Sequence, residues 1–379
     1  MGDVAEFLDT MRKPLEGARR IPGPYPYYGA SGIVDYVDGY LFNEELVLLS
    51  EDGANITDRN YPVCFLASGK YWVNNHAHVL RLKDGNENNF VCTSLERKDY
   101  KQYNSGMAMP KLNQEVCRRI PIGCPSFNEQ KKIGDYFRDL DHLITLHQCK
   151  CDETKELKKF MLQKMFPKNG EKNPEIRFEG FTDDWEQRKF GELAEYKKGP
   201  FGSAITKDMF VPKNDESVKV YEQQNAINKD WSLERYFLPK EYALTKLKSF
   251  EVHGGDIIVS CAGTIGEIYE IPDNADSGVI NQALMRVRVN ECIVDKKMFI
   301  IVFSNMIDEF TRTHGNGSAI KNIPPFADLK PMEVLIPSID EQKKLREHFS
   351  SLDNLITLHQ RKCEKLKELK KFMLQNMFV

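Results

Sequence analysis

Two stretches of the chain carry apolar residues at alternating spacings of four and three, which is the pattern of a helix with a coiled-coil seam. The first seam contains Ile133, Phe137, Leu140, Ile144, His147 and Cys151, and the second contains Leu345, Phe349, Leu352, Ile356, His359 and Cys363. Asn128 and Asp340 are the expected N-caps. The pattern predicts two long helices, in which His147 and His359 are core residues or a polar mark of register.

The two predicted helices repeat one sequence. The segment Pro125-Ser-Phe-Asn-Glu-Gln-Lys-Lys132 returns as Pro337-Ser-Ile-Asp-Glu-Gln-Lys-Lys344, and residues 155–163 return unchanged as residues 367–375. A weaker echo relates Gly106–Leu112 to Gly317–Ile323, whereas residues 8–105 and 197–316 share no similarity that can be aligned. The chain is therefore predicted to contain two units of one layout, each a divergent globular body followed by a near-identical helical tail.

The helices carry more apolar surface than one seam uses. Both seams are widened by further apolar residues, namely Leu143, Leu146, Leu157 and Phe160, and Leu355, Leu358, Leu369 and Phe372. The helix ends add a stripe of Phe160, Met161, Met165 and Phe166, repeated as Phe372, Met373, Met377 and Phe378. Such a stripe either packs into the core at the ends of the coil or docks the helices of a partner, and the sequence favours neither.

Both bodies mix strands with helices. Strand patterns cover residues 46–50, 77–82, 252–260 and 283–289, and residues 298–307 are predicted to form a buried helix. The fold class is therefore α+β. The predicted organisation is a body at 1–124, a helix at 125–167, a linker at 168–182, a second body at 183–336 and a second helix at 337–379.

Composition narrows the function classes. The 379 residues include 53 Lys and Arg against 56 Asp and Glu, which gives a net charge of −3. This charge excludes a protein whose whole surface is basic, as in proteins that bind polyanions over their entire surface. Any binding of the phosphates of a polyanion would therefore depend on local pairs of basic residues, which are Arg12-Lys13, Arg19-Arg20, Lys197-Lys198 and Lys296-Lys297. No apolar run approaches the ~18–20 residues of a membrane span, and the N-terminus has no signal-peptide pattern, so a cytoplasmic location is expected. The nine cysteines include no Cys-x-x-Cys pair and are expected to be free thiols.

Motifs for catalysis are weak. Asn322-Ile-Pro-Pro-Phe326 approaches the base-binding loop of an adenine methyltransferase, but Ile323 interrupts it, and Ala262–Gly266 lacks the third glycine of a dinucleotide loop. His76 and His78 share a strand face, where a role in hydrogen bonding or packing is favoured over metal binding. No catalytic residue and no metal site are therefore predicted. The alternative to a non-catalytic protein is a self-contained DNA methyltransferase or nuclease, with its chemistry in one of the two bodies.

The repeated tail and several loops resemble the specificity subunit of type I restriction-modification systems. The resemblance covers nearly the whole chain and rests chiefly on the duplicated Pro-Ser-x3-Gln-Lys-Lys helix. Further matches are Tyr27–Ile33, Trp72–His78, Ser260–Gly266 and Gly315–Ile323. The resemblance implies two target-recognition domains separated by two antiparallel helices, with each domain reading half of a bipartite DNA site.

The resemblance also implies partners and cofactors. Two modification subunits would bring S-adenosylmethionine and methylate adenine, and a restriction subunit would add translocation and cleavage driven by ATP with Mg²⁺. This chain would then be a non-catalytic reader of double-stranded DNA that binds no cofactor itself. One departure is that the first body starts at Gly2-Asp-Val, without the leader Phe178–Arg188 that precedes the second body, so its outer face is expected to be less complete. A scaffold whose bodies bind proteins is a third, weaker interpretation.

Base reading is expected from polar loop residues, because Asn and Gln pair with adenine, and Arg and Lys pair with guanine, through two hydrogen bonds. The candidates in the first body are Tyr27, Tyr28, Ser31, Lys70, Asn74, Asn75 and His76. Those in the second body are Lys207, Gln223, Gln224, Asn225, Arg312, Asn316, Ser318 and Lys321. For any one of these residues, a role in forming a turn or a solvated loop is the simpler interpretation.

Overall fold

The computed structural model describes residues 1–168, 170–262, 264–314 and 329–378, without the side chains of 308–314. The chain forms two compact units. Unit 1 contains Met1–Glu153 with Leu355–Val379, and unit 2 contains Thr154–Asn354. Each unit therefore combines one body with segments of both long helices. No helix in the described ranges is long and apolar enough to cross a membrane.

The body of unit 1 is built on two four-stranded sheets. Its strands are β1 (Ala5–Phe7), β2 (Pro22–Gly29), β3 (Gly32–Val37), β4 (Phe42–Asn43), β5 (Leu46–Ser50), β6 (Cys64–Ala67), β7 (Lys70–Val73) and β8 (Ala77–Leu82). Its short helices are α1 (Asn55–Asp58), α2 (Asn88–Glu96) and α3 (Gln114–Arg118). The strand orders are β1-β8-β5-β6 and β3-β2-β7-β4, and β2 and β7 are parallel. Every residue of β5 is buried, which explains why it reads as a continuous apolar run.

The body of unit 2 has the same plan. Its strands are β9 (Glu186–Lys189), β10 (Ala194–Lys198), β11 (Ser217–Tyr221), β12 (Phe237–Pro239), β13 (Glu251–Val252), β14 (Ile257–Ser260), β15 (Ile268–Glu270), β16 (Gly278–Ile280), β17 (Leu284–Val289) and β18 (Glu333–Ile336). Its shorter helices are α5 (Gln223–Ile227), α6 (Lys240–Lys246) and α7 (Lys296–His314). The sheet orders are β10-β17-β14-β15 and β12-β11-β16-β13. The strands of the four-stranded sheets can be numbered 1 to 8 in chain order, starting from β1 in unit 1 and from β10 in unit 2. With this numbering, the sheet orders of both bodies are 1-8-5-6 and 3-2-7-4. In both bodies the parallel pair is formed by the second and seventh strands.

The predicted long helices are α4 (Phe127–Lys164) and α8 (Ile339–Asn376). Within unit 1 they run antiparallel, because Asp141 pairs with Lys370 at 2.5 Å whereas the Nδ1 atoms of His147 and His359 lie 3.0 Å apart. The thiol of Cys151 lies 4.0 Å from the carbonyl oxygen of Ile356, and that of Cys363 lies 3.9 Å from the carbonyl oxygen of Ile144. Equivalent residues thus exchange equivalent contacts about the two histidines. These contacts bring residues of the two predicted seams together within unit 1, and the two histidines form a polar pair.

Unit 2 holds its own segments of α4 and α8 through matching contacts. Lys158 pairs with Asp353 at 2.5 Å, which is the repeat equivalent of the Asp141–Lys370 pair in unit 1. Phe166 packs against Phe349 in unit 2, as Phe378 packs against Phe137 in unit 1. The end stripe therefore joins the cores for the most part, while Phe160 and Phe372 stay 46% and 60% exposed.

The expected helix caps were wrong by two residues. The helices begin at Phe127 and Ile339, so Asn128 and Asp340 lie inside the first turn, and Ser126 and Ser338 precede it. The Ser338 hydroxyl accepts the backbone N–H of Glu341 at 3.4 Å, which places the cap on the serine of the Pro-Ser pair.

The glutamine of the repeated motif fastens each helix to its own body. Gln130 is buried, donates to the carbonyl oxygens of Gly85 and Pro125, and accepts the backbone N–H of Glu87 at 3.1 Å. Its equivalent in unit 2, Gln342, donates to Ile293 and Pro337 and accepts from the N–H of Asp295 at 2.7 Å. The motif therefore positions the helix against the loop that follows a sheet strand.

Other predicted elements are confirmed with one refinement. The strand expected at 252–260 is two strands, β13 and β14, with a turn between them in which Asp256 accepts the backbone N–H of His253. Residues 298–307 lie in α7, and its buried side chains face the core of unit 2. All nine cysteines are free thiols.

Candidate nucleic-acid interface

Loops that are distant in sequence converge at one end of the unit 1 sheets. The backbone N–H of Glu51 donates to His76, that of Leu112 donates to Glu51 at 2.7 Å, and that of Gly53 donates to Pro110 at 3.0 Å. The hydroxyl of Ser50 also donates to the carbonyl oxygen of Ala30. These bonds join residues 30–31, 50–53, 74–76 and 104–112 into one surface, which we call loop cluster 1.

A buried ionic network lies under loop cluster 1 and is hydrogen-bonded to it. His78 is 1% exposed, and its Nδ1 and Nε2 lie 2.6 Å from Asp9 Oδ2 and 2.7 Å from the carbonyl oxygen of Leu112. Burial is the largest single influence on the pKa of His78 and lowers it, but the hydrogen bonds and charge interactions with Asp9 and Cys117 together outweigh burial and raise the pKa to about 10. The ring is therefore an imidazolium that donates from both nitrogens.

The same network explains a cluster of potential metal ligands. Oxygen and nitrogen atoms of Asp9, Glu51 and His78 lie within 4.8 Å of one another. However, Arg12 reaches Glu51 at 2.7 Å and Asp9 at 3.4 Å, so Arg12 and the His78 imidazolium together already balance the two carboxylates. His78 has no lone pair left for a metal, because both nitrogens donate hydrogen bonds. The donor set fits an ion-pair network better than a metal centre.

The candidate residues of the first body fall into two groups. Ser31, Asn75 and His76 are exposed on loop cluster 1, where His76 pairs with Asp52 at 2.9 Å. Tyr27 is 1% exposed, and its hydroxyl accepts the backbone N–H of Leu15. Asn74 is 7% exposed and accepts the backbone N–H of His76 at 2.8 Å. Tyr27 and Asn74 therefore shape the loops from inside and offer no open surface to a base.

Two further candidates of the first body lie on the β3-β2-β7-β4 sheet. Tyr28 is half-buried between Phe65 and Tyr71. Lys70 is exposed at the other end of β7 from Asn74, with its Nζ 4.9 Å from the ring of Tyr40. The shared strand face expected for His76 and His78 was wrong, because β8 starts at Ala77 and the two rings have different partners.

In unit 2 the candidates gather at the start of α5. Gln224 is exposed and Gln223 is half-buried, whereas Asn225 is 2% exposed. The side chain of Asn225 accepts the backbone N–H of Glu222 and donates to the carbonyl oxygens of Asp230 and Leu233, so it holds the loop that follows α5. Burial also raises the pKa of Glu222. Lys207 is exposed in a separate loop.

Four candidates of the second body are not placed. Asn316, Ser318 and Lys321 lie outside the described residues, as does the Asn322–Phe326 segment. Arg312 lies in α7, but its side chain is outside the described part.

The expected basic patches are largely paired within the described ranges. Arg12 is held by Asp9 and Glu51, Arg20 pairs with Asp35 at 3.1 Å, and Lys296 lies 3.4 Å from Glu291. Lys197 lies 4.8 Å from the ring of Phe250. In each pair, therefore, at least one side chain already contacts an acidic residue or an aromatic ring.

Sequence reasoning missed one part of loop cluster 1. The loop at 104–111 is closed by the Asn104 side chain, which accepts the backbone N–H groups of Gly106 and Lys111, and it leaves Met107 fully exposed. Gly106–Leu112 echoes the segment Gly317–Ile323, from which candidates of the second body were chosen. Applying the repeat in both directions would have identified this loop.

The fold defines a class: a two-domain protein whose bodies share one topology and present different loops. Residues 1–156 and 182–368 match the family model of the type I restriction modification DNA specificity domain, so the chain belongs to that family. A putative type I restriction enzyme specificity subunit of Haemophilus influenzae is 28% identical over 94% of this chain and 88% of its own length. The MjaVIII specificity subunit of Methanocaldococcus jannaschii is 22% identical over 98% and 89%.

A solved structure supports the fold. The S subunit of a type I restriction-modification system from M. genitalium superposes with a TM-score of 0.65 at 13% identity, covering 100% of this chain and 94% of that one. The two-domain specificity-subunit fold expected from the repeated helices is thus confirmed.

Proposed function

We propose that this chain is the non-catalytic DNA-reading subunit of a type I restriction-modification complex, with each body reading one half of a bipartite target. The observation that carries this proposal is the pairing of one strand topology with two unrelated loop sequences. A shared scaffold gives both bodies the same approach to DNA, while dissimilar loops give each its own base preference. The recognition domains are assigned to residues 1–124 and 183–336.

The proposed base contacts are the exposed candidates. In the first body they are Ser31, Asn75 and His76 on loop cluster 1, with Lys70 at the start of β7. In the second body they are the exposed Gln224 and Lys207, together with Gln223, which is half-buried beside Gln224. The predictions at Arg312, Asn316, Ser318 and Lys321 stand beside them. The Asn and Gln side chains have the donor and acceptor that adenine requires, and Lys suits guanine.

The two helices are proposed to set the distance between the half-sites. Seven residues inserted into α4 after Glu153 and seven into α8 after Asn354 would preserve the heptad phase of both seams. At 1.5 Å per residue this adds about 10 Å, or about three base pairs of DNA, to the spacer. Mapping of methylated adenines in cells carrying the variant should show the same half-sites at this longer spacing.

A matched control adds the same number of residues at a different place in the chain. The same seven residues inserted in the exposed turn at 213–216, which contains none of the proposed base contacts, should leave the spacer unchanged. An unchanged spacer in the helix variant, together with normal methylation, would show that the helices do not act as the ruler.

The outer faces of the helices are proposed to dock the modification subunits. In unit 1, Leu143, Leu355, Leu358 and Phe372 are at least 40% exposed, and in unit 2 the same holds for Leu157. Exposed apolar side chains repeated along a helix favour packing against partner helices. The resemblance supports two modification subunits that bring S-adenosylmethionine and a restriction subunit that uses ATP and Mg²⁺, assembled in the cytoplasm. The alternative of a self-contained methyltransferase or nuclease is not favoured by the family assignment.

A further inference from the structure

In unit 2, three loops meet at the sheet edge that corresponds to loop cluster 1. Strands β11 and β16 are parallel neighbours, so the residues that follow them lie at the same edge. The backbone N–H of Asn281 donates to the carbonyl oxygen of Tyr221 at 3.1 Å, and that of Gly199 donates to Leu284 at 2.8 Å. These bonds join three segments into one surface, which we call loop cluster 2: residues 199–202, 222–225 and 281–283.

One asparagine relates loop cluster 2 to loop cluster 1. In unit 1, Asn74 donates its backbone N–H to strand β2 at 3.0 Å, and its side chain accepts the backbone N–H two residues later at 2.8 Å. In unit 2, Asn281 donates to strand β11 at 3.1 Å and accepts the backbone N–H two residues later at 3.0 Å. Asn281 is therefore the counterpart of Asn74. The exposed residue that follows it, Gln282, is the counterpart of the proposed base contact Asn75.

Loop cluster 2 presents an aromatic ring that is almost fully exposed. The Phe201 side chain is 90% exposed, although the loop around it is anchored, because Pro200 and Ile205 are both buried. Gly199 packs directly against the turn at Asn281, where a Cβ atom added to the glycine would lie 1.8 Å from the Asn281 carbonyl oxygen. The loop therefore fixes the backbone on both sides of Phe201 and leaves its ring outside the core.

The surroundings of Phe201 favour contact with DNA. Lys198 and Lys207 are exposed on either side of it along the chain, and neither forms an ion pair in the part of the chain that the structure describes. Loop cluster 1 has a similar feature, because Met107 and Met109 are 106% and 61% exposed there. Phe and Met are among the apolar side chains that insert between base pairs in proteins that deform DNA. Both loop clusters thus place such a side chain beside their proposed base contacts.

We propose that Phe201 is a wedge that inserts between two base pairs of the half-site read by the second body. This inference rests on the proposed function of the chain. The ring would replace the stacking of one base step, while Lys198 would contact a phosphate and Gln282 would reach the edge of a neighbouring base. Insertion unstacks the step and kinks the duplex, which costs least at a pyrimidine–purine step. Phe201 would therefore select for a deformable step without forming a hydrogen bond to either base.

Fluorescence of 2-aminopurine, which rises when this base loses its stacking neighbours, tests the proposal. The probes are duplexes that carry the target mapped from methylated adenines, with 2-aminopurine at one purine at a time other than the methylated adenine. At saturating concentrations of the assembled complex, we expect the signal to rise several-fold at one step of the second half-site. Phe201→Ala should abolish this rise and weaken binding roughly tenfold. Phe201→Leu, which keeps an apolar wedge, should retain most of the signal.

The matched control is Leu244→Ala, which removes another exposed apolar side chain of unit 2, on α6. It should leave both the signal and the affinity at their native values. A native complex that binds the mapped target selectively without unstacking any step would overturn the wedge and leave the proposed function intact. A signal that persists in Phe201→Ala, or that Leu244→Ala abolishes equally, would do the same. Absence of selective binding by the native complex would instead contradict the proposed function and the wedge together.

Discussion

At the scale of single residues, the His78 network contributes to how stability depends on pH. His78 is protonated in the folded state up to a pKa of about 10, whereas its ordinary value is 6.5. A group whose folded pKa is raised stabilises the fold fully below the unfolded pKa and loses that contribution as the pH rises through the folded pKa. The free energy of unfolding should therefore fall as the pH increases from about 6.5 to about 10.

Chemical denaturation across this pH range checks the expectation. The fall should be on the order of 3–5 kcal/mol in the transition that reports unit 1. His78→Gln should be less stable than the native chain at neutral pH and should flatten the profile. His76→Gln, which changes an exposed ring, should keep the native slope. If the profiles of His78→Gln and the native chain run parallel, His78 is not the titrating group.

Burial separates the candidates that the sequence could not rank. Asn74, Asn225 and Tyr27 have the same polar letters as their exposed neighbours, but each satisfies backbone groups that a turn would otherwise leave unpaired. Whether a polar side chain faces inward or outward in a loop depends on contacts with distant segments. A single sequence therefore predicts which loops hold the site better than which residues.

At the scale of elements, the glutamine of the repeated motif anchors each long helix to its own body through hydrogen bonds. Gln130→Leu should destabilise unit 1 by about 1–3 kcal/mol, because the Glu87 N–H and two carbonyl oxygens lose their partner in a buried place. Urea denaturation measures the change. The neighbouring Lys131→Leu, at an exposed position, is the control and should lie close to the native value.

The result against this interpretation is also clear. If Gln130→Leu unfolds at the same urea concentration as Lys131→Leu, the three hydrogen bonds add no stability. The equivalent substitution Gln342→Leu then gives an independent comparison in unit 2.

The helices were predictable, and the shared strand order was not. A heptad seam is written in local spacing, and duplication of that spacing makes the pairing of α4 with α8 evident. In contrast, the 1-8-5-6 order of both bodies arises from pairings between strands that are far apart in sequence, such as β5 with β8. Two sequences can satisfy such pairings with different residues, provided that each strand buries its core face.

At the scale of the whole molecule, the two bodies should read DNA independently. Asn75→Ala with His76→Ala should relax selectivity in one half-site, and Lys207→Ala with Gln224→Ala should relax the other. Each lost base contact should cost about 1–3 kcal/mol of discrimination, or about 5- to 150-fold in relative affinity. Competition between DNA duplexes altered in one half-site, using the assembled complex, measures both effects.

Each double variant serves as the control for the other. The untouched half-site should keep native selectivity in every case. Simultaneous loss at both half-sites, in a complex that still assembles, would contradict separate reading by two bodies.

The histidine pair restricts which substitutions the two repeats of the chain can share. His147 meets its own counterpart, so gene conversion that copies a new codon from one repeat to the other sets two identical side chains face to face. Lysine or aspartate would then repel its duplicate, whereas neutral histidine can donate to a second histidine. The Asp141–Lys370 contact escapes this restriction, because each repeat encodes both signs of charge and copying leaves opposite charges opposed.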